Sequence, residues 1–237
     1  MSNMYAEITA KNINPLRGRC LHAPTLPEPP EKPPKTHYCY VMNSKRPNMI
    51  KKYSGSIKLD EKILSSNVKG GTRFLCSCND LFAEGVPKEY IAEIIDWAER
   101  QNTVTWWLQT KNPRHEMFRD LIQCKPLNLV LGTTIETNRD YAKEHGCANA
   151  PTPQNRFQYG LDYVTIEPIM DFDIDIFIKW LKLMAPKFVN IGADSRPTKD
   201  RDLPEPSAAK TMELIAQLKT FTEVKIKPNL KRILEGA

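Results

Sequence analysis

The sequence predicts an α/β fold in which parallel strands alternate with helices, as in a partial or complete TIM-like (β/α) barrel. Three observations predict it. Short β-branched and apolar runs recur along the chain, separated by segments whose apolar residues have helical spacing. Polar residues collect where those runs end, the edge at which parallel α/β sheets bind ligands. The 237 residues, 41% of them hydrophobic, suffice for one sizeable core, so 1–237 reads as a single α/β barrel domain.

Residues 1–19 lead in, with Asn14-Pro15 and Gly18 as turn signals. Residues 20–40, CLHAPTLPEPPEKPPKTHYCY, follow as a Pro-rich Cys/His loop. Its six prolines fix φ and remove backbone donors, so the loop is expected to be extended and exposed. The ends mirror each other as Cys20-Leu-His22 and His37-Tyr-Cys39, and zinc and iron select these ligand types. Buried thiols and surface imidazoles brought together by chance give the same letters, so both readings stay open. Beyond Tyr40, Lys45, Arg46, Lys51 and Lys52 form a basic cluster beside Tyr53, either a phosphate-binding edge or a solvated loop.

The strand–helix rhythm starts at Thr72. Phe74 to Cys78 reads as a strand ending in Asn79-Asp80. Residues 87–100 read as a helix, with Pro87 at its start and Glu89 in its first turn. Thr103 to Gln109 is the second strand, ending in Thr110-Lys111 and leading to a helix around Glu116 to Ile122. Leu127 to Ile135 is the third, ending at Glu136 and Asn138, and Asp162 to Ile166 the fourth, ending in Glu167-Pro168. Ile174 to Met184 is an amphipathic helix. Lys187 to Ile191 is the fifth strand, ending in Gly192-Ala193-Asp194-Ser195-Arg196. Ala208 to Phe221 is the last helix, and Val224 to Lys227 a final strand. Asp80, Lys111, Glu136, Asn138, Glu167, Asp194, Arg196 and Lys227 are thereby expected around one mouth. Any one of them alone reads equally well as a cap or turn residue; their recurrence at successive strand ends makes the case.

Composition narrows the classes. A net charge of +6 suits binding a polyanion and equally suits a mildly basic enzyme. No apolar run approaches the ~20 residues of a membrane span, and MSNMYAEITAKN has no apolar signal region. A cytoplasmic protein without a membrane partner is expected, its six cysteines serving as thiols or metal ligands. No glycine-rich phosphate fingerprint follows the first strand, which leaves a dinucleotide-binding fold unsupported.

An ordered set of blocks runs along the chain: Asn14-Pro15…Gly18…Cys20 with Tyr38-Cys39-Tyr40, Cys78-Asn79-Asp80-Leu81-Phe82…Val86-Pro87, Leu108-Gln109-Thr110-Lys111-Asn112-Pro113 and Gly132-Thr133-Thr134-Ile135-Glu136. Arg156-Phe157, Thr165-Ile166-Glu167-Pro168 and Gly192-Ala193-Asp194-Ser195 complete the set, which covers roughly residues 12–230. Together these blocks resemble a phage-associated radical-SAM family of unknown function, itself similar to spore photoproduct lyase in its cluster loop. The resemblance implies a partial barrel with its site at the strand C-termini. It also implies a [4Fe–4S] cluster on three cysteines with S-adenosylmethionine on the fourth iron. Cys20 and Cys39 match the first and last cysteines, but Thr36 stands at the middle one and offers neither thiolate nor imidazole.

Three uses of the site follow. In the favoured one, Cys20, His22, His37 and Cys39 hold a structural zinc, and carboxylates exchange a base in a nucleic acid, DNA before tRNA, by analogy of fold and chemistry with transglycosylases that swap guanine for a 7-deazaguanine. Asp80 and Asp194 are the candidate nucleophile and proton carrier, with Glu136 and Glu167 next. In the second, Cys20 and Cys39 keep a [4Fe–4S] cluster with His22, His37, Cys76 or Cys78 as third ligand. Glu136 and Asn138 then hold the S-adenosylmethionine ribose, and Lys227 or Arg196 its carboxylate. In the third, a barrel without cluster chemistry binds nucleic acid or protein. Tyr38, Tyr40, Lys51, Lys52, Lys111 and Arg114 are candidates for stacking on a base or contacting phosphates in either enzymatic case. Packing of Tyr38 and Tyr40 against the first helix is the plainer alternative.

Overall fold

The computed structural model describes residues 5–23, 38–141, 149–195 and 203–236. An antiparallel pair, β1 (Leu16–Arg17) with β2 (Lys58–Leu59), flanks the short helices α1 (Pro47–Lys52) and α2 (Glu61–Leu64). The main body alternates β3 (Thr72–Leu75), α3 (Lys88–Arg100), β4 (Thr105–Thr110), α4 (Glu116–Gln123), β5 (Leu129–Thr134) and β6 (Tyr163–Ile166). It continues through α5 (Ile174–Met184), β7 (Phe188–Ile191), α6 (Ala208–Leu218), β8 (Glu223–Ile226) and α7 (Lys231–Glu235). The six strands β3 to β8 pair in chain order, every pair parallel, as the strand–helix rhythm predicts.

Local chemistry explains the helix limits. Ile91, Ile94, Ile95 and Ala98 recur at three- and four-residue spacing and are all buried on one side of α3. Ser207 Oγ accepts from Lys210 N at 3.2 Å and caps α6. α5 stops where Ala185 takes a left-handed conformation, φ 49°. The first strand is shorter than the expected Phe74–Cys78 because Cys76 adopts φ 56° and turns the chain out of the sheet.

The period of two in each strand splits the core in two. Leu75, Trp106, Leu108, Leu131, Val164, Ile166, Val189 and Ile191 face the helices in the main core. Phe74, Trp107, Tyr163 and Phe188 face the other way and form an aromatic cluster with Tyr5 and Ile8. The Trp107 and Tyr163 rings lie 4.8 Å apart, and Tyr163 stacks on Phe188 at 5.3 Å. Gly132 makes room for it: a Cβ there would stand 2.4 Å from Tyr163 Cζ.

The barrel is partial, not complete, since β3 and β8 are the two edges of the sheet. The N-terminal segment lies across the gap. Ile13 bridges Leu75 in parallel, and Thr9, Ala10 and Ile13 donate backbone N–H groups to Thr72 and Phe74 on β3. On the β8 side Glu7 pairs with Lys225 at 2.5 Å, while Tyr5 buries its ring under Lys227 Nζ, 4.7 Å from the centroid. Tyr5 Oη reaches Gln109 Oε1 and Thr165 Oγ1, tying this segment to β4 and β6. No helix among the described residues is long and apolar enough to cross a membrane.

Candidate functional site

The strand alternation sets what faces the mouth. Continuing each inward row past the strand end gives Lys111 after β4, Glu136 after β5, Glu167 after β6 and Lys227 after β8. The aromatic cluster fills the barrel beneath this rim. Two ion-pair groups occupy it.

The first centres on Glu136, buried at 3% exposure. Its Oε1 accepts from Tyr38 Oη at 2.8 Å and pairs with Lys111 Nζ; its Oε2 pairs with Arg156 Nη1 at 2.5 Å. Lys111 Nζ also donates to Tyr38 Oη at 3.0 Å. Burial alone would raise the Glu136 carboxyl, but the Lys111 and Arg156 charges and the hydrogen bonds from Lys111 and Tyr38 outweigh it and hold it at about 2. Arg156 is itself fully buried and anchored by its Nε on Pro151 O at 2.7 Å. A shallow cleft beside this group is lined by Tyr38, Glu136, Arg139, Tyr141, Pro153 and Arg156. The roomier surface groove, between α5 and α6 at Asp175, Ile178, Lys182 and Gln217, involves none of the rim residues.

The second group centres on Glu167. Lys227 Nζ pairs with its Oε2, and Asn229 Nδ2 donates to its Oε1 at 2.7 Å, to Ala193 O at 2.6 Å and to Ser195 Oγ at 3.1 Å. Gly192, on the inward row of β7, lets these side chains approach. Asp194 follows two residues on, at 7% exposure, and its charge acts on Arg232. Beneath the rim, Asn190 Nδ2 and Tyr163 Oη are buried without a partner among the described residues, and so is Asn229 Oδ1.

Asp80 stands apart from both groups, with every acceptor position in use. Its Oδ1 accepts from Thr110 Oγ1 at 2.7 Å and Phe82 N at 3.0 Å, and its Oδ2 from Lys111 N at 2.6 Å, with His22 Nε2 at 2.9 Å. Burial would raise its carboxyl; His22 and the hydrogen bonds from Lys111 and Thr110 bring it below its ordinary value. This carboxylate joins β3, β4 and the start of the Pro-rich loop.

The other sequence candidates divide. Asn138 Oδ1 accepts from Asp173 N at 2.8 Å and supports the entry to α5 instead of facing the mouth. Arg114 holds the Pro153–Arg156 turn through contacts of 3.4 Å to Gln154 O, Asn155 Oδ1 and Phe157 O. Tyr40 is 40% exposed and donates to Ser77 O at 2.6 Å. Lys51 and Lys52 are exposed on α1. His37 and Arg196 lie outside the described residues. Sequence reasoning missed Arg156 as a rim cation, Asn229 and Tyr5; the only signal for Asn229 is its place two residues beyond Lys227.

The Cys/His set does not come together among the described residues. No three of their His, Cys, Asp and Glu side chains are grouped to hold a metal. His22 bonds Asp80 through Nε2, its Nδ1 is buried without a partner among the described residues, and burial pushes the Cys76 thiol up to about 12. His37 lies outside the described residues, so the expected Cys20, His22, His37 and Cys39 set is not described as a whole.

The six-stranded parallel sheet flanked by helices, with charged residues past its strand ends, places the protein in the α/β class with a partial β/α barrel-like fold. The chain belongs to the family described as "Protein of unknown function (DUF5131)", which it matches over residues 33–199. No curated protein matches it.

Proposed function

We propose that this protein is a nucleic-acid base-modifying enzyme that works by carboxylate-driven base exchange, guanine for a 7-deazaguanine, in the cytoplasm and on DNA before tRNA. The observation that carries the reading is the Glu167–Lys227–Asn229 group, an oriented carboxylate at the mouth with Asp194 at the end of the adjacent strand. Asp80 is bound into the framework by four hydrogen bonds, and the proposed acting pair is Asp194 and Glu167. Asp194 attacks the sugar C1′; the C1′–N bond breaks, and its electron pair leaves with the base. The Lys227–Glu167 pair delivers the proton to the departing base and receives one from the incoming base, whose nitrogen then attacks C1′ and frees Asp194. A base inside a duplex has first to be flipped out, and a rim site suits receiving it.

The experiment is to incubate the protein with an oligonucleotide and no incoming base, then resolve it on a denaturing gel. A protein–DNA adduct in the wild type, absent in Asp194→Ala, supports the reading; no adduct in the wild type counts against it.

A non-catalytic binding module is the second reading, supported by the saturation of both Asp80 and Glu136. A radical reaction at a [4Fe–4S] cluster and a phage-associated origin rest on the ordered sequence blocks alone.

A further inference from the structure

We propose that the segment around α1 is the docking edge for the phosphate backbone of a nucleic acid whose base enters the mouth, an inference that rests on the proposed function. Charge distribution carries it. Residues 32–59 contain seven Lys and Arg and no Asp or Glu, so this stretch is +7 and the rest of the chain −1, giving the net +6. Lys32 and Lys35 lie outside the described residues. Lys45, Arg46, Lys51 and Lys52 are exposed, and none pairs with a carboxylate among the described residues. The rim cations, by contrast, are paired with glutamates: Lys111 and Arg156 share Glu136, and Lys227 pairs with Glu167. The nearest following acid, Asp60, is taken by both Arg17 nitrogens Nε and Nη2.

The edge is fixed in place and leads to the mouth. α1 buries none of its residues, yet Gly18 N donates to Lys52 O and Arg19 N to Gly55 O, each at 3.0 Å. Gly18 permits the approach at φ +88°, because a Cβ there would stand 2.2 Å from Ser56 O. Tyr53, at the end of α1, is buried beneath Arg17. At its other end the same segment begins with Tyr38, bonded to Glu136, and Tyr40, exposed beside Ser77. A helix of six residues spans about 9 Å, the axial length of about three phosphates on one strand. Backbone bound there is therefore led toward the rim by two tyrosines able to stack on bases.

The test is fluorescence anisotropy of the full chain with labelled single- and double-stranded oligonucleotides, between about 50 and 200 mM salt. The variant K45A/R46A/K51A/K52A is expected to weaken duplex binding about tenfold or more and to flatten the log–log salt slope by about 3–4. A charge-matched variant elsewhere, K179A/K182A/K219A/K231A, is expected to change affinity less than about twofold. Equal weakening by both variants, or wild-type binding that ignores salt, overturns the docking edge. Salt-dependent binding lost only in the first variant, with no base exchange in the wild type, upholds the edge and counts against the proposed reaction.

Discussion

Gly192 lies directly beneath Glu167: a Cβ on Gly192 would stand 2.8 Å from Glu167 Oε1 and 2.9 Å from Asn229 Oδ1. The missing side chain is what lets a strand-end carboxylate and an amide meet at the rim. The clashing atoms are far ends of side chains, so they can move aside without disturbing the sheet. Gly192→Ala is therefore expected to cost less than about 1 kcal/mol of stability while displacing Glu167 from Lys227. Urea unfolding should find a near-wild-type midpoint, and base exchange should fall at least about tenfold. Gly132→Ala makes the contrast. Its Cβ meets the packed Tyr163 ring, and overpacking of this kind costs about 1–3 kcal/mol.

Glu136 gives a pH signature. Its carboxyl falls from an ordinary 4.5 to about 2 in the folded protein. A depressed carboxyl contributes stability that is present above pH 4.5 and lost as pH falls toward 2, here on the order of 3 kcal/mol. Glu136→Gln lacks that contribution and leaves Lys111 and Arg156 without their counter-charge, a destabilisation of about 3–5 kcal/mol near neutrality. The gap in melting temperature between wild type and Glu136→Gln should be widest at pH 6–7 and narrow below pH 4.5. A gap that does not change with pH would contradict the ion-pair assignment.

Asp80 is assigned to the framework. In Asp80→Asn one oxygen becomes an NH₂ group, which faces the donors Lys111 N and His22 or Phe82 N and Thr110. About 2–3 kcal/mol should be lost, read as a lower urea midpoint. Unchanged stability with abolished base exchange would return Asp80 to the catalytic pair.

The fold was legible where periodicity is strong. Ile174–Met184 agrees with its helix to the residue because the apolar spacing starts after Asp173 and stops at Met184. Strand ends also marked the rim, since Lys111, Glu136, Glu167 and Lys227 each extend an inward row. β1 and β2, two residues each, carry no periodic signal, and α1 reads as a basic loop because it buries nothing. Asp80 and Asn138 look the same in sequence as rim residues; only their hydrogen bonds show them supporting the backbone. Tyr5 and Arg156 escaped because their burial depends on long-range contacts, from the chain start to β4 and β6 and from the Pro153–Arg156 turn to Glu136.

The most direct measurement is incorporation of labelled guanine or 7-deazaguanine into acid-precipitable DNA. The account predicts incorporation by the wild type, and its loss in Asp194→Ala and Glu167→Gln variants that still fold and still bind DNA. Absence of incorporation in the wild type, with DNA bound and both bases offered, would contradict base exchange at this rim.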